Sequence, residues 1–187
     1  MTDCFAVLGL PRRPHCDEDV LKEIYHRRAA LLHPDAVTGG TDAFRELQEA
    51  YATLADSGRR LRHPQELAFP DFQKVSAAAP QGDLFLAVGQ AVQAAREILQ
   101  RHERSQSALA RALLTGEIAA AGGGIRAALR DVAAVRERLR AELTALDDRW
   151  PAVEAGEISL LASQLTFLSR WQSELAEWEF RIKQAAA

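Results

Sequence analysis

The chain has 187 residues, long enough to bury a sizeable core, and its 23 Lys and Arg side chains face 26 Asp and Glu, a formal net charge of −3. Because a charge this small produces no broad positive field, the composition argues against general binding to nucleic acid or to an anionic membrane. The sequence shows no secretory signal and no apolar run of membrane-spanning length, which predicts a reducing, cytoplasmic setting with Cys4 and Cys16 as ordinary, partly buried thiols.

Helix-forming residues dominate the sequence, and no stretch alternates with the period of a strand, so the chain is predicted to be all-α. The stretch "DCFAVLGL" predicts a short first helix that Gly9 and Pro11 end; its inward residues are Phe5, Val7 and Leu8. A second helix starts after Asp17, a suitable N-cap. Its predicted inward stripe is Val20, Leu21, Ile24, Leu31 and Leu32, and its outward face carries Lys22, His26 and Arg27.

The second helix should stop within "LLHPDAVTGG", because Pro34 lacks an N–H and pushes His33 out of helical geometry. A third helix, capped by Thr41 or Asp42, follows this turn. Packed on the second helix, it would form a helical hairpin through an inward stripe of Phe44, Leu47, Tyr51 and Leu54. The basic segment "GRRLRHPQEL" then forms one or two helical turns.

Residues 67–82 hold two prolines and several small residues without a sustained period, which predicts a linker between a domain at 1–66 and a second at 83–187. Three long amphipathic helices are predicted in the second domain, closing as an antiparallel bundle or coiled coil. The first would end at "GEIAAAGGG", residues 116–124, because each glycine costs about 1 kcal/mol relative to alanine, and the sequence also allows a break within it near Arg104. Its inward positions include Val88, Val92, Leu99, Leu109 and Leu113.

His33 and Asp35 flank a proline on a tight turn, where their side chains diverge. No nearby Ser or Cys completes a nucleophilic arrangement, so no enzyme site is predicted. The histidines and Cys16 lack metal-ligand spacing, and the sequence predicts neither a metal nor another cofactor. Two interpretations of the turn remain open: a helix stop with two solvated polar residues, or a polar turn presented to another protein beside the basic face of the second helix.

Four segments together resemble a J-domain, the module by which DnaJ-type co-chaperones stimulate the ATPase of DnaK-type chaperones. They are "AVLGLP", "LKEIYHRRAALLHPD", "AFRELQEAYATLAD" and "GRRLRHP". The resemblance implies that the tripeptide His33, Pro34 and Asp35 stimulates ATP hydrolysis by the partner chaperone. It also implies that the outward face of the second helix docks on an acidic surface of that chaperone, through Lys22, Tyr25, His26 and Arg27.

A J-domain followed by three helices on a chain of this length resembles HscB, the co-chaperone of iron–sulfur cluster assembly whose C-terminal helices carry the scaffold protein IscU. The stretch "LTFLSRWQSELAEWEFRI" resembles the last helix of that family. The acidic, methionine-containing surface that the resemblance implies for the first C-terminal helix is not evident in "LFLAVGQAVQAAREILQ". The resemblance implies delivery of a client, an IscU-like scaffold, with no enzymatic activity in this chain.

Three positions depart from the J-domain pattern. Ala36 stands where Lys or Arg usually follows the tripeptide, His26 replaces a basic residue, and Arg28 replaces an apolar one, so that its guanidinium should extend to water. Two alternatives therefore stay open: a bundle that delivers another client, or a helical adaptor with a degenerate, non-stimulating J-domain. The tryptophans bear on the second, since exposed ones would be interface anchors and buried ones core; they are Trp150, Trp171 and Trp178.

Overall fold

The structure, a computed structural model, describes residues 2–33, 40–68 and 82–186. Within these ranges there are helices and turns and no strand, so the predicted all-α fold is confirmed. The helices are α1 (Cys4–Leu8), α2 (Glu18–Leu32), α3 (Thr41–Ala55), α4 (Ser57–Ala68), α5 (Gly82–Arg104), α6 (Ala108–Asp148) and α7 (Ala155–Ala185). In that part of the chain, no helix is both long and apolar enough to cross a membrane.

Contacts divide the chain into two compact units, and both α6 and α7 run through the two. The first unit comprises Met1–Ala77 with Leu139–Thr166, and the second comprises Ala78–Arg138 with Phe167–Ala187. Most of the predicted linker, residues 69–81, lies outside the described residues. The domain limits of 1–66 and 83–187 with a linker at 67–82 therefore stay a prediction.

The core of the first unit is built by α1, α2 and α3. Its buried members are Cys4, Phe5, Leu8, Leu21, Leu47, Ala50 and Leu54. The prediction that Val20 and Leu31 face inward is wrong, because both are exposed. An α-helix turns by about 100° per residue. Leu21 and Leu32 face the core, and Val20 and Leu31, each one position earlier, point roughly 80–100° away from that direction.

Helix caps account for the bounds of α2 and α3. The Asp17 carboxylate accepts hydrogen bonds from the backbone N–H groups of Asp19 (2.9 Å) and Val20 (3.0 Å), which confirms the predicted cap. The predicted cap of α3 at Thr41 or Asp42 is wrong, since Gly40 takes this position without a side-chain bond.

Arg28 lies at the edge of this core with its guanidinium turned inward. Its Nη1 donates a hydrogen bond to the carbonyl oxygen of Val7 at 2.5 Å, at the end of α1. The expectation that the Arg28 head extends to water is therefore wrong. An arginine is accommodated where the J-domain pattern has an apolar residue, because the Val7 carbonyl accepts a hydrogen bond from its guanidinium at the boundary of the core.

The end of α6 and the start of α7 belong to the same unit as α4 and the loop before α2. The Asp147 carboxylate accepts a hydrogen bond from the His15 backbone N–H (3.2 Å) and lies 3.7 Å from the guanidinium of Arg13. Arg62 donates to the hydroxyl of Ser163 at 3.0 Å, and Gln65 donates to the Ala155 carbonyl at 3.3 Å. The segment Leu139–Thr166 thus packs on α4 and on the loop before α2.

Gly58 marks the closest approach between α4 and α7. A Cβ at this position would lie 2.4 Å from Oγ1 of Thr166 and 2.7 Å from the carbonyl oxygen of Ala162. We therefore expect Gly58→Ala to lower the free energy of unfolding by about 1–3 kcal/mol through overpacking. Urea denaturation followed by far-UV circular dichroism measures this. The matched control is Gly89→Ala in α5, where a Cβ meets nothing within 4 Å and should be neutral or slightly stabilising; equal effects of the two changes would contradict the close approach.

In the second unit α5, α6 up to Arg138 and α7 from Phe167 form an antiparallel three-helix bundle, as predicted. The Arg101 guanidinium pairs with Glu117, and Arg136 donates to Gln172 at 2.5 Å, so α6 is bonded to both of its neighbours. Between α5 and α7, the ring of Phe85 lies near that of Trp171. Buried side chains from all three helices fill the centre; they include Val88, Val92, Leu99, Ile118, Ile125, Val132, Leu168, Leu175 and Ile182.

The break between the first two helices of the bundle falls at residues 105–107 and not at the glycines. The predicted helix end at 116–124 is wrong, because α6 continues through Gly122, Gly123 and Gly124. Ile118 and Ile125 are buried on either side of this run, and their burial outweighs the low helix propensity of three glycines. Gly122 also faces inward, and a Cβ added there would lie 3.1 Å from Cγ2 of Ile182.

The tryptophans divide between the units. Trp171 and Trp178 are buried in the bundle, which confirms the interpretation as core, and the guanidinium groups of Arg96 and Arg181 lie 5.8 Å and 4.4 Å from the Trp178 ring centre. Trp150, in the first unit, is half-buried.

Candidate functional site

The outward face of α2 presents most of the predicted site residues. Lys22, His26 and Arg27 are exposed, and the spacing of four between Lys22 and His26 places these two on one side of the helix. The guanidinium of Arg27 is bonded to the carboxylate of Glu23 at 2.6 Å, and both side chains are more than two thirds exposed. Such a surface pair is worth only a few tenths of a kcal/mol, so it can open readily for a partner, but it lowers the net charge of the face.

Tyr25 lies at the edge of this face, half-buried between α2 and α3. Its ring stacks on Tyr51, with ring centres 4.2 Å apart and planes 25° apart, and meets the ring of His26 edge-on at 5.4 Å. The stack restricts the Tyr25 side chain and holds His26 outward. Tyr25 is therefore placed to position its neighbour as well as to touch a partner.

His33 stands at the end of α2 with φ −57° and ψ 139°, the extended geometry expected before a proline. Its ring lies edge-on to Phe44 of α3, with centres 5.3 Å apart, and the Gly40 backbone N–H donates to the Leu32 carbonyl at 3.3 Å. These contacts bring α2 and α3 together at the base of the turn. Pro34, Asp35 and Ala36, predicted with His33, lie outside the described residues.

Two buried polar residues of α4 were not singled out from the sequence, where the segment read as a basic, exposed turn. Arg60 is 2% exposed and donates to the carbonyl oxygens of Pro14 (2.9 Å) and Leu54 (2.6 Å) and to the hydroxyl of Ser57 (3.3 Å). Burial lowers the pKa of Arg60, although the group remains charged at neutral pH. Arg60 thus ties α4 to the loop before α2 and to the end of α3.

His63, also in α4, is 3% exposed. Its Nε2 accepts a hydrogen bond from the Cys4 backbone N–H at 3.0 Å, and its ring lies 5.9 Å from that of Phe5. Burial lowers the pKa of His63 from its ordinary value of 6.5 and raises that of the Cys4 thiol. In the neutral form His63 keeps the lone pair on which the bond from Cys4 depends.

The lowered pKa of His63 predicts a loss of stability in mild acid. Because the folded protein binds fewer protons than the unfolded chain as pH falls below 6.5, the contribution of His63 is present above that pH and lost below it. We expect the free energy of unfolding to fall more steeply between about pH 7 and pH 5 in the wild type than in His63→Gln, which keeps an acceptor but no titrating group. Urea denaturation across this range measures both slopes, and parallel slopes would contradict the burial of a neutral His63.

In residues 2–33, 40–68 and 82–186, no three His, Cys, Asp or Glu side chains come together as possible ligands. The side chains of Lys22, His26 and Arg27 on α2, and of His33 at its end, are exposed and accessible to another protein.

Comparison with known proteins covers the same part of the chain. Residues 3–63 match the family model DnaJ, described as the DnaJ domain. Chaperone protein DnaJ of Xylella fastidiosa (strain M12) is 44% identical over 61 residues, 31% of this chain and 16% of that protein. The DnaJ of Acaryochloris marina is 40% identical over 65 residues, 34% of this chain and 17% of that protein, and the DnaJ of Caldicellulosiruptor saccharolyticus is 36% identical over 66 residues, 34% of this chain and 16% of that protein.

This chain thus spans about a sixth of the length of these DnaJ relatives. No solved structure matches. Residues 3–63 carry the predicted J-domain, with α1, α2, α3 and the first half of α4 within the match.

Proposed function

From a J-domain at residues 3–63, we propose that this chain is a co-chaperone that stimulates ATP hydrolysis by a DnaK-type chaperone. The observation that carries the proposal is the placement of His33 at the end of α2, beside the exposed face with Lys22 and His26. Hydrolysis is the reaction of the chaperone, and this chain supplies contacts and no catalytic group. Its exposed charges raise the rate of encounter and orient the two proteins.

We propose that the helices beyond the J-domain carry a client to the chaperone. Support comes from large apolar side chains that the bundle leaves exposed, such as Phe85 and Leu86 on α5, since exposed apolar residues in a group favour protein contact. An iron–sulfur scaffold of the IscU type is the specific client we propose. It rests on the resemblance of the chain's length, helix order and last helix to HscB.

Single-turnover ATP hydrolysis by the DnaK-type chaperones of the host tests the first proposal. We expect this protein to raise the single-turnover rate of at least one of them. Mixing the protein with an IscU-like scaffold, followed by analytical ultracentrifugation, tests the second, and absence of a complex would exclude that client without touching the ATPase result.

A helical adaptor with a non-stimulating J-domain is the second candidate function. The Arg27–Glu23 ion pair favours it, because it neutralises Arg27 and leaves less positive charge on the outward face of α2 for an acidic chaperone surface. Folded protein that binds a chaperone without accelerating hydrolysis would support this candidate over the first.

A further inference from the structure

Two leucines on α6 are the most exposed large apolar side chains among the described residues. Leu109 is 73% and Leu113 is 74% exposed, and the prediction that they face inward is wrong. Because they are four residues apart, they lie one helical turn from each other on the same face. Leu113 also borders a groove of about 480 Å³ between the end of α5 and the start of α6, together with Arg101, Arg104, Ala110 and Leu114.

Side-chain and backbone bonds within the second unit border the groove. The Arg101 guanidinium spans it to the carboxylate of Glu117, with Nη2 and Oε1 3.0 Å apart. At its end, the Arg111 Nε donates to the Ser105 carbonyl at 3.1 Å, and the Ser107 hydroxyl accepts from the Ala110 backbone N–H at 3.1 Å. These bonds join the end of α5 and residues 105–107 to the start of α6.

Charge around the leucines is positive, in contrast to the chain as a whole. Helix α6 carries no carboxylate in its first turn and has Arg111 there, where the helix dipole is already positive. In residues 101–117 the two acidic side chains are engaged, Glu117 with Arg101 and Glu103 with Arg181 at 3.9 Å. The other charged side chains of this segment are Arg104 and Arg111.

We propose that this surface, the α5–α6 tip (Arg104, Leu109, Arg111, Leu113), binds an acidic amphipathic helix of a partner protein. Apolar residues one turn apart on the partner would cover the two leucines, and its carboxylates would face the two arginines. A second copy of this chain is a poorer occupant, since a two-fold pair would bring the same positive rim against itself. The inference rests on the proposed carrier role of the C-terminal helices and assigns the class of partner segment.

Fluorescence anisotropy with a defined probe tests the assignment on the full chain. The probe is a labelled helical peptide of about 18 residues, with leucines at steps of three and four and glutamates on the flanks; a second peptide has lysines in place of the glutamates. We expect the glutamate peptide to bind at least about tenfold more tightly than the lysine peptide. Its affinity should fall when salt is raised from about 0.1 M to about 1 M, where the Debye length shrinks to about 3 Å.

Variants locate the binding. Leu109→Ser with Leu113→Ser should weaken binding of the glutamate peptide by about tenfold or more, and Arg104→Glu with Arg111→Glu should remove its preference over the lysine peptide. All four side chains are exposed, but Arg111→Glu loses the bond to the Ser105 carbonyl, so far-UV circular dichroism and thermal unfolding of each variant check the fold. The matched control is Leu160→Ser, 48% exposed on α7 in the first unit, which should leave binding unchanged.

Three outcomes would overturn the inference: no binding of the glutamate peptide, equal binding of the two peptides, or a loss of binding in Leu160→Ser equal to that in the double leucine variant. Sedimentation that shows a dimer abolished by the double leucine variant would instead assign the tip to a second copy. The double variant should still stimulate a DnaK-type chaperone, since residues 3–63 are untouched. Failure of the peptide test and failure of the co-chaperone proposal are therefore separate results.

Discussion

Replacing His33 with Gln should reduce the stimulation of a DnaK-type chaperone by about tenfold or more, while the protein stays folded. The side chain stands at the end of α2, where its ring meets Phe44 and its backbone has already left the helix. Glutamine keeps a polar side chain of similar length but loses the ring, and with it the rigid presentation of the turn. Asp35→Asn should have a comparable effect through loss of the carboxylate, according to the resemblance that assigns the tripeptide to ATPase stimulation.

Single-turnover hydrolysis measures this loss, and thermal unfolding monitors the fold in parallel. The control is His15→Gln, another exposed histidine of the first unit, whose backbone N–H and not its side chain bonds to Asp147. Full stimulation by His33→Gln would contradict the proposed site, whereas absence of stimulation by the wild type would favour the adaptor.

Arg60→Met should lower the free energy of unfolding by about 3 kcal/mol. The Arg60 guanidinium satisfies two buried carbonyl oxygens and one hydroxyl, so methionine fills much of the space but leaves these acceptors without their donor. The carbonyls belong to the loop before α2 and to the end of α3, and their loss loosens the support of the hairpin. The stimulated ATPase rate should consequently fall at temperatures where the variant begins to unfold.

Urea denaturation of Arg60→Met and of Arg59→Met tests the claim. Arg59 precedes Arg60 on α4 and is exposed, so its replacement should stay within about 0.5 kcal/mol of the wild type. Equal stabilities for the two variants would show that the Arg60 contacts contribute little.

Local signals account for the helices that the sequence predicted well. The Asp17 cap, the departure of His33 from helical geometry before Pro34 and the inward stripe of α3 each depend on neighbours within about four residues. The His-Pro-Asp turn with its flanking helices was recognisable for the same reason, because the residues of the motif follow one another closely in the chain.

Only the tertiary structure decided which of several locally acceptable arrangements formed. Burial of Ile118 and Ile125 carries α6 through three glycines, and Leu109 and Leu113 follow the same apolar period as the core yet face outward because the bundle offers them no neighbour. Arg60 and His63 lie in a basic segment but are buried through bonds to residues far away in the chain: Arg60 donates to the Pro14 carbonyl, and His63 accepts from the Cys4 N–H. The sequence by itself determined the helices and the J-domain, since hydrogen bonding within a helix is local. Which helix faces are buried depends on contacts between residues far apart in the chain, and these contacts form only when the chain folds.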